Sequence, residues 1–139
     1  MEYKYLRKVN YYETDQMGIV HHSNYIRWFE EARLFYLEQI GLPYENIESM
    51  GIISPVLSVT CEYKVSVKFG EQIIIIPQIT SFNGFKFTIS YEIRGLNDNQ
   101  IKCVGTSSHC MLDTSFKPVN TKKMYPEVYK IFSDAVCKE

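Results

Sequence analysis

From Ser23 to Ile40 the residues Tyr25, Trp28, Phe29, Ala32, Phe35, Tyr36 and Ile40 recur at the i, i+3, i+4 spacing of a single helix face. Ser23 or Asn24 is placed to cap this helix, and Gly41 followed by Pro43 stops it. Arg27, Glu30, Glu31, Arg33 and Glu38 fall largely on other faces, so the two adjacent glutamates are expected in solvent, paired with Arg27 or Arg33. No other stretch carries a helical pattern of this length. So broad an aromatic stripe has to be buried, and a sheet face is the layer that covers it.

The remaining chain supplies the sheet. Tyr3 to Tyr12 alternates weakly and reads as a first strand, and Tyr44 to Gly51 as a loop or short helix. Four extended runs follow: Ile53–Val67, Gln72–Phe82, Phe85–Arg94 and Gln100–Leu112. The run Ile73-Ile74-Ile75-Ile76 suits a buried strand. Asn83-Gly84 is a hairpin signal, and Gly95 to Asn99 marks a second turn. Pro77 conflicts with a central strand, so a bulge, an edge position or an early strand end is expected there. Pro126 opens a short amphipathic tail in which Val128, Ile131, Phe132, Ala135 and Val136 share a face, expected to dock on the body or on a neighbouring subunit. The predicted class is α+β: one domain spanning residues 1–139, with an antiparallel five-stranded sheet wrapped around one long central helix and a short C-terminal helix.

Charge and cysteine usage narrow the partners. Fifteen basic and sixteen acidic residues nearly cancel, so no nucleic acid partner is implied. No apolar run approaches the roughly 20 residues that span a bilayer, and the first residues lack the apolar core of a signal peptide. Cys61, Cys103, Cys110 and Cys137 show no CxxC spacing, and free thiols in a reducing, cytoplasmic compartment are expected. The chain offers no metal-ligand constellation.

The chemistry concentrates in the link between the first strand and the helix, Tyr11-Tyr12-Glu13-Thr14-Asp15-Gln16-Met17-Gly18-Ile19-Val20-His21-His22-Ser23-Asn24-Tyr25. A carboxylate, Asp15, precedes a glycine turn at Gly18 and then the helix start. The free N–H groups of a helix N-terminus stabilise a developing oxyanion, so a carboxylate facing them across a short loop is an active-site layout. Gly18 is expected to supply a backbone conformation that side chains with Cβ avoid. His21 is expected to be structural or solvent-facing. Ser107, Ser108 and His109 are not expected to act as a nucleophile set, because strand neighbours point to opposite faces and no elbow motif surrounds them.

Tyr11, Asp15, Gly18, Ile19, Val20, His22, Asn24 and Tyr25, together with the element order from Tyr3 to about Asp113, resemble the hot-dog fold and specifically the 4-hydroxybenzoyl-CoA thioesterase-like acyl-CoA thioesterases. The resemblance implies hydrolysis of a small or medium acyl-CoA with Asp15 as nucleophile or general base. It implies that the His22 backbone N–H polarises the thioester carbonyl, and that the His22 side chain and Tyr11 take part in one branch of the family. The implied catalytic set is therefore Asp15, His22 and Tyr11, with no cofactor and with CoA present only as part of the substrate. A homodimer or homotetramer is also implied, with the partner helping to line the site. Two other functions fit the same fold. A non-catalytic acyl-CoA-binding module would leave Asp15 without a purpose. A hydroxyacyl or enoyl thioester dehydratase or hydratase would pair His22 with Glu30 or Glu31, but the His-Phe-Pro-Gly type sequence expected around that histidine is absent. Lys64 with Lys68, and Lys117 with Lys122 and Lys123, are the basic clusters available to CoA phosphates, and neither is assigned as a site.

Overall fold

The computed structural model describes residues 2–136, so Cys137 lies outside the described residues. Strand β1 (Tyr5–Lys8) leads through a 3-10 turn (Tyr11–Glu13) and the motif loop into helix α1 (Ser23–Gln39) and a short α2 (Tyr44–Ser49). Strands β2 (Val56–Tyr63), β3 (Gln72–Phe82), β4 (Lys86–Gly95) and β5 (Ile101–Cys110) follow, and helices α3 (Thr121–Met124) and α4 (Pro126–Ala135) end the described chain. The strands form one antiparallel sheet in the order β1-β3-β4-β5-β2. It wraps α1 in the hot-dog arrangement that the resemblance implies.

Period-2 burial decides which face meets the helix. Phe87, Ile89, Tyr91 and Ile93 of β4 are buried, as are Ile73, Ile75 and Ile79 of β3, and they meet Tyr25, Trp28, Phe29, Ala32 and Tyr36 of α1. Phe29 stacks on Tyr91 with ring centroids 4.4 Å apart. Gly105 on β5 makes room for this: a Cβ there would come within 2.6 Å of the Phe29 ring. The amphipathic tail docks on the body. Phe132 of α4 is fully buried against Phe82 and Phe87.

The strand boundaries depart from the sequence expectation most in β1 and β2. The first strand ends at Lys8 rather than near Tyr12, and Tyr11 lies in the 3-10 turn rather than in a strand. The chain leaves the sheet there because the Glu13 carboxylate turns inward and accepts the Asn10 N–H at 2.8 Å. Strand β2 is also shorter than expected, covering Val56–Tyr63, with Ile53 reduced to an isolated bridge to Leu112. Pro77 lies inside β3, yet β1 pairs only with Gln72 to Ile75, so at Pro77 the strand is partnered by β4 alone. That is the edge position a proline tolerates. The Asn83-Gly84 turn forms as expected, with Asn83 Oδ1 accepting the N–H groups of Phe85 and Lys86 and Gly84 at φ 93°.

Candidate active site

The motif loop is held in place by its own hydrogen bonds. Gly18 N–H donates to the Asp15 carbonyl at 3.0 Å and Asp15 N–H to the Ile19 carbonyl at 2.8 Å, closing a tight turn. Gly18 has φ 78°, the left-handed region that a glycine enters freely. Asp15 Oδ1 accepts the Met17 N–H at 2.8 Å. Its second oxygen has no hydrogen-bond partner among the described residues, so one carboxylate oxygen fixes the group and the other is left for chemistry. The Val20 N–H donates to the Val67 carbonyl at 2.8 Å, which lays the loop beside the segment after β2.

Helix α1 begins at His22, which is its N-cap. Neither Ser23 nor Asn24 caps it by a side chain, contrary to expectation. His21 does so instead: its Nδ1 accepts the Ser23 N–H at 3.2 Å and lies 2.9 Å from Ser23 Oγ. Accepting a backbone N–H requires an unprotonated Nδ1. The Asn24 side chain donates to the carbonyls of Glu13 (2.9 Å) and His21 (3.3 Å). The His22 N–H has no intramolecular acceptor among the described residues, as expected of a first-turn donor. The His22 ring stacks on His21 at 4.3 Å and its carbonyl accepts the Tyr63 hydroxyl at 3.3 Å.

Asp15 lines two cavities. One, of about 320 Å³, brings it together with His22, Tyr25, Tyr63, Lys64 and Ser66. The other, of about 340 Å³, is polar and holds Arg7, Glu13, Arg27 and Glu31. Asp15 and His22 are thus brought together. Tyr11 is not: it lines neither cavity, is 76% exposed, and sets its ring against Phe69 at 5.4 Å. Tyr25, on the inner wall, is buried, and burial pushes its phenol up to about 12, so it stays protonated. Among the described residues no group of three or more His, Cys, Asp or Glu side chains is placed to hold a metal ion.

Glu13 is the residue that sequence reasoning passed over. It is 3% exposed, and its carboxylate accepts from Arg7 at 2.6 Å, Trp28 Nε1 at 2.8 Å and the Asn10 N–H. Burial alone would raise its pKa; those three hydrogen bonds outweigh it and hold the carboxyl below its ordinary range. Its carbonyl accepts the His21 N–H at 2.9 Å, so one residue ties β1, the loop and the helix start together. Glu31 corrects a further expectation. It pairs with Arg7 at 2.7 Å, across to β1, rather than with Arg27 or Arg33 on its own helix. The sequence signal for Glu13 is the Asn10-x-x-Glu13 spacing of a capping box, in which the carboxylate reaches back to the Asn10 N–H.

Strand alternation separates Ser108, which meets Ser58 on β2, from Ser107 and His109, which share the inner face. Ser107 Oγ lies 2.7 Å from both the Tyr91 hydroxyl and His109 Nε2. His109 is fully buried against the Phe87 ring, and burial, with Arg33 nearby, pushes its pKa down to about 4. The three described cysteines, Cys61, Cys103 and Cys110, are free thiols. No helix among the described residues is long and apolar enough to cross a membrane.

Comparison with known proteins identifies the family. The family model described as the thioesterase-like superfamily matches residues 9–132. YneP of Bacillus subtilis, provisionally assigned as an acyl-CoA thioesterase, is 36% identical over 129 residues, covering 92% of this chain and 93% of its own. The acyl-CoA thioesterase YbgC of Haemophilus influenzae is 25% identical over 114 residues, covering 81% and 82% of the two chains. Among solved structures, a DHNA-CoA thioesterase from Staphylococcus aureus superposes with a TM-score of 0.90 at 28% identity, over 96% of this chain and 89% of that one. In family and in fold, the chain belongs to the thioesterase-like superfamily and is a hot-dog thioester hydrolase.

Proposed function

We propose that this protein hydrolyses an acyl-CoA thioester to the free acid and CoA, with Asp15 as the reacting carboxylate and the His22 N–H as the oxyanion donor. The observation that carries the reading is their meeting: Asp15 and His22 line one cavity, and among the described residues one Asp15 carboxylate oxygen has no donor and the helix-start N–H of His22 has no acceptor. A carbonyl oxygen drawn to that N–H gains negative charge as the thioester carbon becomes tetrahedral, and the helix dipole favours that charge. The carbon is attacked either by a water whose proton passes to Asp15, or by Asp15 itself, giving an anhydride that water then opens. In both routes the C–S bond breaks, CoA leaves as the thiolate and takes up a proton, and no cofactor enters the balance. The His22 side chain, exposed at the same cavity, is available to the leaving sulfur. The Tyr11 phenol is left out of this chemistry because it lies outside both cavities.

Tyr63, in the wall of that cavity, is half exposed, and a second copy of the chain is the natural cover, so the working unit is a homodimer or an assembly of dimers. The names of YneP and the S. aureus structure support a CoA thioester as the substrate class.

The test is release of thiol from a panel of short, medium, long and aromatic acyl-CoAs by the native protein and Asp15→Asn. Turnover by the native chain, with a loss of at least about a hundredfold in the variant, is expected. Near-normal turnover in the variant removes Asp15 from the mechanism. Intact acyl-CoA recovered from both makes the protein a binding module. Single turnover in ¹⁸O water separates the routes, since only attack by Asp15 leaves label in its carboxylate.

A further inference from the structure

Two large aromatic side chains beside the site are uncovered and touch each other. Tyr11 is 76% exposed and Phe69 is 56% exposed, with their rings edge to face at 5.4 Å. A continuous strip of chain leads to them from the reacting groups. Tyr63, Lys64 and Ser66 line the cavity of Asp15 and His22, Val67 accepts the Val20 N–H, Lys68 bridges to Ile19, and Phe69 comes next. Phe69 enters the turn that Gly70 completes at φ 85°, so its ring stands three residues along the chain from the cavity wall at Ser66.

The charges along this strip are ordered. Lys64 lies in the cavity wall, with the exposed Glu62 at 3.4 Å as its one ion-pair partner among the described residues. Lys68 stands between the cavity and the rings, exposed and without a carboxylate partner among the described residues. Beyond the rings, Phe69 walls an open cavity of about 560 Å³ whose charged side chains are Lys8, Glu71 and Asp98. From the reaction centre outward the surface thus offers cations, then aromatic faces, then acceptors with one further lysine.

A CoA thioester presents its groups in the same order: thioester and pantetheine arm, phosphates, then an adenine with two π-faces and an exocyclic amine that donates to carboxylates. Building on the acyl-CoA reading above, we propose that Tyr11 and Phe69 form a docking platform for the adenine of CoA, with Lys64 and Lys68 meeting its phosphates. Stacking between a base and an aromatic ring is tolerant of ring substituents, so the platform needs the Tyr11 ring and not its hydroxyl. That accounts for an aromatic ring in the motif loop that lines neither cavity of Asp15.

The test uses binding, which needs no turnover. CoA is titrated calorimetrically onto the full chain and onto Phe69→Ala, Tyr11→Ala, Tyr11→Phe and Lys68→Gln, with 4′-phosphopantetheine, which lacks the nucleotide, as the second probe. Loss of either ring is expected to weaken CoA about tenfold, while Tyr11→Phe stays within about twofold. Phosphopantetheine is expected to bind the native and ring-deleted proteins alike. The Lys68→Gln deficit is expected at low salt and to shrink as salt is raised. The proposal is overturned by CoA affinity that ignores both rings, by Tyr11→Phe weakening CoA as much as Tyr11→Ala, by phosphopantetheine weakened as much as CoA, or by no CoA binding to the native chain. Ring-dependent CoA binding without cleavage of any acyl-CoA would leave the platform standing and remove the hydrolase reading.

Discussion

Glu13 and His109 are two buried titratable side chains held in opposite ways. Glu13 stays charged because Arg7, Trp28 and the Asn10 N–H all point at it. Glu13→Gln keeps an acceptor of the same shape but leaves Arg7 with Glu31 as its one anionic partner. Breaking a buried pair costs about 3–5 kcal/mol when the remaining charge is uncompensated, so with Glu31 retained a loss of roughly 2 kcal/mol is expected. A urea midpoint that does not move would mean the Arg7–Glu13 pair adds nothing to stability. His109 stays neutral because burial penalises its charged form and the Arg33 guanidinium lies nearby. Its folded pKa of about 4 lies below the ordinary 6.5, so between those pH values the unfolded chain binds more protons. Its contribution to stability is therefore complete above pH 6.5 and is lost as pH falls toward 4, by about 3 kcal/mol across the window. Urea midpoints of the native chain and His109→Gln, compared at pH 7.5 and pH 5, check this. The native chain should lose markedly more on acidification, and parallel curves would refute a neutral buried imidazole.

Among the elements, those whose identity rests on a local period were legible in the sequence. Helix α1, the long strands β3 to β5 and α4 follow from apolar spacing, and Asp15, Gly18 and His22 from residue types at fixed offsets along one loop. What the sequence hid depends on partners distant along the chain. The early end of β1 follows from where the Glu13 carboxylate goes, and its main partners are Arg7 before the loop and Trp28 beyond it. Glu31 looked like a solvated helix charge because its partner Arg7 is 24 residues away on another element. Tyr11 looked like a strand residue because the turn that redirects it is made by that same glutamate. Gly105 belongs with these, since its need is visible only once Phe29 lies across it. A Cβ at Gly105 would clash with the Thr60 carbonyl oxygen on β2 as well as come within 2.6 Å of the stacked Phe29 ring, so Gly105→Ala strains both the β2–β5 pairing and the helix–sheet contact and is expected to cost about 1–3 kcal/mol. The thermal midpoint of that variant measures it, and an unchanged midpoint would mean the layers have slack.

For the whole molecule, the two edges of the sheet are unequal. At one end β1 is four residues long and carries Arg7 and Lys8, the short, charged kind of edge that discourages pairing. At the other end β2 runs eight residues with only β5 beside it, and exposes Val56 (47%), Leu57 (51%) and Tyr63 (49%). Ile26 of α1 is exposed nearby, in the wall of a small cavity it shares with Val56 and Val59. An edge this long and apolar is a template for another strand, and the homodimer proposed above is expected to pair two β2 strands antiparallel about a twofold axis. The contact would lie beside Tyr63, which donates to the His22 carbonyl, so association would cover that wall of the site as well as the sheet edge. Leu57→Lys is a surface change with little cost to the isolated chain, generally within about 0.5 kcal/mol, but it puts two like charges into a symmetric interface. Light scattering is expected to give a dimer or larger for the native chain and a monomer for the variant. Turnover should fall with dissociation and recover when protein concentration is raised. A native chain that is monomeric at tens of micromolar and fully active would show that one copy suffices and that the β2 edge is protected in some other way.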